Sequence, residues 1–179
     1  MASINPPRLN RRELLKLTLG ASLALSTVGV TASLTGCTSG QPADNLAVLR
    51  QSDLPVLAAL FPAMVGPHPA MAGDNAAVSA AIEQLDRTLA HTSPAVQKDV
   101  LDLLGLLSFG LTRGPMTGIW TSWEKASPAD LDAFLFRWRD SRLDMLRQGH
   151  KALSQLLLMS WYALPLSWKA AGYPGPPII

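Results

Sequence analysis

Apolar positions recur at helical intervals along most of the chain. Val78, Ile82, Leu85 and Leu89 follow one another at steps of four, three and four, which places them on one face of a helix opening at Asp74 or Asn75. Upstream, Asp44 to Val65 reads as one or two short helices, with Ser52 as N-cap, Pro55 in the first turn, and Leu54, Leu57, Leu60 and Phe61 on a broad stripe. Pro62 is expected to kink or end this segment, and Gly66-Pro67-His68-Pro69 breaks the pattern. Ser93-Pro94 pairs a cap with proline at the first helical position and opens a third helix through Val96, Val100, Leu103, Leu104 and Leu107, ending at Gly110 or Gly114. Its leucine density predicts burial on more than one side.

A short helix is expected from Pro115 to Glu124. Ser127-Pro128-Ala129-Asp130 then caps the strongest helix, with an acidic residue placed to complement the free amides of the first turn. Leu131, Phe134, Leu135, Trp138, Met145 and Leu146 form its apolar face. Arg137, Asp140, Asp144 and Arg147 lie elsewhere on it, at spacings that allow surface ion pairs. Gly149 breaks or weakens this helix before Ala152 to Tyr162 resumes the pattern, and Leu164-Pro165 stops it. No alternating run of strand length competes. The predicted fold is all-α, a small helical bundle with an irregular Pro/Gly-rich C-terminal tail.

The first 36 residues follow a different logic. Asn10-Arg11-Arg12-Glu13-Leu14-Leu15-Lys16 precedes an uncharged run from Leu17 to Leu34, which is diluted by serine, threonine and glycine and ends at Leu34-Thr35-Gly36-Cys37. Paired arginines before two leucines and a lysine form the pattern read by the twin-arginine translocase; leucine, two small residues and cysteine form the pattern at which bacterial lipoproteins are cleaved and acylated. The division that follows is a twin-arginine lipoprotein signal peptide over 1–36, a polar spacer over 37–43 and a helical domain over 44–179. The expected location is the periplasmic side of a bacterial membrane, with a lipid anchor on Cys37. An uncleaved membrane anchor and the general export route are the competing readings of the leader.

Removing the leader changes the charge. The chain carries 15 basic and 13 acidic residues, and Arg8, Arg11, Arg12, Lys16 and Glu13 belong to the leader, which leaves 11 and 12. A domain near neutrality lacks the basic face that nucleic-acid binding requires. Cys37 is the only cysteine, so neither an internal disulfide nor a thiolate metal site is expected. His68, His91 and His150 share no spacing suited to one metal ion and read as solvated or capping residues. Ser93 and Ser127 read as caps rather than nucleophiles. No catalytic residue and no cofactor site are assigned to this chain.

Aromatic residues concentrate in the second half. Trp120, Trp123, Trp138, Trp161 and Trp168 all lie there with Tyr162 and Tyr173, whereas Phe61 is the one aromatic among the first hundred residues. Trp138 falls on an apolar stripe and is expected in the core. Trp161, Tyr162, Trp168 and Tyr173, close to Gly172-Tyr173-Pro174-Gly175-Pro176-Pro177, form a segment that docks either onto its own helices or onto another protein.

Taken together, the twin-arginine leader, the helical domain, Thr117-Gly118-Ile119-Trp120, Phe136-Arg137-Trp138-Arg139-Asp140-Ser141-Arg142 and the aromatic ending resemble the small subunits of periplasmic flavoprotein dehydrogenases of the gluconate 2-dehydrogenase subunit 3 type. The resemblance implies a non-catalytic partner of a large glucose-methanol-choline type flavoprotein. FAD would then reside in that partner, and electrons would leave through a cytochrome haem or a quinone. A free-standing envelope lipoprotein with a structural or ligand-binding role is the alternative, and an enzyme with an unrecognised site is a third.

Overall fold

A computed structural model describes residues 40–71 and 75–175. The export signal at Arg11, Arg12, Leu14, Leu15 and Lys16, the acylation site Cys37, and Asp74, Pro176 and Pro177 lie outside the described residues. Within them the chain is helical, without strands. Seven α-helices follow one another: α1 (Leu54–Val65), α2 (Ala76–Ala90), α3 (Pro94–Ser108), α4 (Gly110–Thr117), α5 (Pro128–Arg139), α6 (Asp144–Tyr162) and the single turn α7 (Pro165–Trp168). Short 3₁₀ turns at Pro69–Met71 and Trp123–Lys125 complete the set. No helix among the described residues is long and apolar enough to cross a membrane.

Helix α1 is the hub, packing against α2, α3, α5, α6 and the second 3₁₀ turn. Its composition explains the position, because Val56, Leu57, Leu60 and Phe61 are all buried and an apolar circumference is hidden only when helices surround it. Around it close Val78, Ile82, Leu85 and Leu89 of α2, Leu104 and Leu107 of α3, Phe134 and Trp138 of α5, and Leu153, Leu157 and Trp161 of α6. The α2 stripe is thus the predicted one. The predicted double-sided burial of α3 is not found, since Leu106 and Val96 are exposed.

Side-chain caps set the starts of α3 and α5. The Ser93 hydroxyl accepts the Val96 amide, and Ser127 and Asp130 exchange side chain and backbone as a reciprocal capping box. Replacing Ser127 with alanine is expected to lower stability by about 1 kcal/mol. Thermal melts of the two proteins check this, and coincident curves would show that the exposed box contributes nothing.

Several boundaries differ from the sequence reading. Residues 44–53 form turns rather than helix, and the N-cap position is Asp53, not Ser52. Asp53 is fully buried, and its carboxylate accepts the Arg50 amide and pairs with the Arg50 guanidinium, which also donates to the Leu101 carbonyl at 2.6 Å. Pro62 neither ends α1 nor precludes its last turn, which runs to Val65 and closes with the Gly66 amide donating to the Pro62 carbonyl. Helix α3 stops at Ser108; α4 starts beyond extended Phe109 and includes Pro115, so the helix expected from Pro115 to Glu124 is replaced by the end of α4 and a 3₁₀ turn. The long helix expected through Asp140 is two helices, and exposed Met145 and part-buried Leu146 belong to α6. Gly149 lies inside α6 and breaks nothing.

Three tryptophans account for helix ends. The indole N–H groups of Trp123, Trp138 and Trp168 donate to the carbonyls of Leu107, Met116 and Tyr162 at 2.9, 2.9 and 3.0 Å. Those carbonyls lie in the last turns of α3, α4 and α6, where no intrahelical amide is left to bond them. Trp123 and Trp138 thus supply both core volume and C-terminal hydrogen bonds, whereas part-buried Trp168 supplies the hydrogen bond alone. Asp86 performs the complementary task for the segment before α1. Though it stands on the apolar side of α2, at 4% exposure, its carboxylate accepts the amides of Ala47, Val48 and Leu49 at 2.7, 2.9 and 2.8 Å.

Candidate functional site

The described domain offers two candidate regions, the C-terminal aromatic end and a groove beside α1. At the aromatic end the four predicted residues separate. Trp161 has no exposed surface and belongs to the core, so it is corrected from a docking residue to a packing residue. Tyr162 and Tyr173 are about half exposed. Trp168 is partly buried, its indole bonded to the Tyr162 carbonyl and its ring in edge contact with Tyr173 at 5.5 Å. The Tyr173 amide donates back to the Trp168 carbonyl. The tail as far as Gly175 is thus folded onto its own last helices, with the two tyrosines on the outside.

The groove is framed by α1, the loop Gly66–Met71 and the first turns of α5, where Ala59, Pro62, Pro67, His68, Pro69, Met71, Pro128 and Leu131 line about 780 Å³. A smaller lobe of about 260 Å³ adjoins it, lined by Met64, Leu135, Phe136, Arg139, His150, Ser154 and Leu158; Ala63 and Asp132 face both. Prolines make much of the wall because this loop cannot continue α1 and its rigid rings need no amide partner.

His68 fixes the loop. Its Nδ1 accepts the Ala70 amide at 3.1 Å, so the neutral ring carries its proton on Nε2. Nε2 is buried and without a partner among the described residues, and the ring meets Trp161 edge-on at 4.9 Å. Neither nitrogen is therefore free to act as a base in the groove.

In the smaller lobe, Arg139 donates through Nε and Nη2 to Asp140 at 2.9 and 3.0 Å and stands over the Phe136 ring at 4.6 Å. Hydrogen bonding to Asp140 holds the guanidinium above its usual range, and the same bond holds the Asp140 carboxyl below its own. Burial, followed by the neighbouring Arg139 charge, lowers the His150 imidazole. The Ser154 hydroxyl donates to the His150 carbonyl at 2.8 Å, a bond within the helix rather than a nucleophile–base contact.

The remaining expectations about side-chain chemistry find places. His91 Nδ1 donates to the Arg87 carbonyl at 2.7 Å beyond the end of α2, a capping role. Arg147 pairs with Asp144, whereas Arg137 lies against Gly118, where a Cβ atom would meet the guanidinium at 2.6 Å. Sequence reasoning passed over the groove because its lining comes from three helices and a loop. It also passed over large apolar side chains on the outside, of which Leu111 and Trp120 are 81% and 77% exposed and Met159, Met145 and Leu143 are exposed as well.

Comparison with protein-family models, with curated proteins and with solved structures finds no match to this chain.

Proposed function

We propose that this protein is a non-catalytic small subunit that escorts, exports and tethers to the membrane a periplasmic FAD-dependent dehydrogenase of the glucose-methanol-choline type. The observation that carries the reading is the set of large apolar side chains on the surface of an otherwise well-packed domain, with Leu111 and Trp120 foremost. A large aromatic side chain such as Trp120 is of the type that most often anchors a protein–protein interface. The leader supports the same reading, since the twin-arginine route moves folded cargo and Arg11-Arg12 heads a chain to which no cofactor site is assigned. In this arrangement the flavin belongs to the partner, electrons pass from it to a cytochrome or quinone, and Cys37 supplies the lipid anchor. Exposed Tyr162 and Tyr173 remain candidates for the partner surface, together with Trp168, whose ring orders the tail beneath them.

The test is co-purification from solubilised membranes with an absorption spectrum of the eluate. Flavin absorbance in a two-protein complex is the expected result. Changing both Arg11 and Arg12 to lysine should strand the partner in the cytoplasm with this chain, although the partner's sequence is untouched, and membrane dehydrogenase activity should fall with it. A second reading, a free-standing lipoprotein that binds a small ligand, is favoured by the groove. It becomes the better one if the protein purifies alone and the double lysine variant mislocalises nothing but itself.

A further inference from the structure

We propose that the groove beside α1 binds a long-chain carboxylate, its alkyl tail along the proline-lined lobe and its carboxylate at Arg139 and His150. This site is independent of the subunit reading. The two lobes meet at Ala63 and Asp132 and follow α5 from Pro128 to Arg139, a rise of about 16 Å at 1.5 Å per residue. That length and the volume of the larger lobe suit an extended acyl chain.

Polarity along the trough selects the ligand class. The larger lobe holds no lysine or arginine; Asp132, exposed and without an ion pair among the described residues, faces both lobes where they meet. An anionic head therefore finds no counter-charge in the larger lobe. In the smaller lobe Arg139 uses Nε and Nη2 on Asp140, and Nη1 has no partner among the described residues. His150 stands with it on the lining, so a carboxylate finds one guanidinium amino group and one imidazole there. A peptide fits less well. Its amides would need partners along a wall of prolines, Leu131 and Met71, where His68 has one nitrogen engaged and the other buried. An alkyl chain makes no such demand.

The experiment uses washed membranes containing the full chain and hexadecanoic acid bearing a photoreactive diazirine at its tail end. Adducts are expected on peptides covering Pro62 to Met71 and Pro128 to Leu131, where the tail ends. Unlabelled hexadecanoate should suppress them. A competitor shorter by two methylenes should be weaker by about tenfold or more, and the methyl ester weaker by a similar factor. Arg139→Gln should lower labelling several-fold. Because the competitor series uses the unaltered protein, it tests the proposal even where a variant folds poorly. Equal competition by acid and ester overturns the assignment of the head group, and adducts spread over Leu111, Trp120 and Met159 overturn the groove as the site.

Discussion

Trp138→Ala is expected to destabilise the protein by about 3 to 5 kcal/mol, the range for removing a large buried aromatic side chain. Trp138 is 1% exposed, meets Phe134 edge-on at 4.9 Å and donates to the Met116 carbonyl at 2.9 Å. Truncation therefore opens a cavity and also leaves the end of α4 without its indole donor. Urea unfolding measures the loss, and an unchanged midpoint would contradict this account of the core. Gly149 makes the prediction sharper. A Cβ atom there would lie 2.7 Å from the Trp138 ring, so Gly149→Ala, ordinarily a gain of up to about 1 kcal/mol inside a helix, should instead destabilise by about 1 to 3 kcal/mol through overpacking. In the Trp138→Ala background the clash is gone, and the same substitution should become neutral or stabilising. A double-mutant cycle reads this reversal of sign directly.

Asp86→Ala is expected to cost about 3 kcal/mol. One carboxylate accepts three successive amides of the segment before α1, and alanine would leave those donors in a part-buried site without acceptors. Asparagine retains one acceptor oxygen and should recover part of the loss. Beyond the change in unfolding midpoint, limited proteolysis should find new cleavage between Asp44 and Arg50 in the alanine variant under native conditions. A variant that melts within about 0.5 kcal/mol of the parent, with that segment still protected, would show that the three bonds do not anchor it.

The sequence reading did not single out Asp86, which is buried rather than a surface charge. It stands four residues after Ile82 and three before Leu89, an acidic residue on a helical stripe that burial would otherwise forbid. What it holds could not be read, because its partners lie 37 to 39 residues away. The groove was less legible still. His68 sits in a recognised breaker and Arg139 and His150 in recognised helices, yet nothing in their spacing indicates that Ala63 and Asp132 bring two apolar lobes together.

The sequence by itself determined the helical class, the α2 stripe and the capped starts of α3 and α5, because caps and periodicity act within about one turn and need no distant partner. Tertiary structure decided where helices end and which aromatics are hidden. Carbonyls at the ends of α3 and α4 are bonded by indoles 16 and 22 residues away. Gly149 is accommodated inside α6 where the Trp138 ring fills the space of a Cβ. Trp161 and Tyr162 are neighbours in the chain, but one is wholly buried and the other half exposed, since successive helical residues point about 100° apart and only the packing of α1, α2 and α5 against α6 fixes which direction is inward.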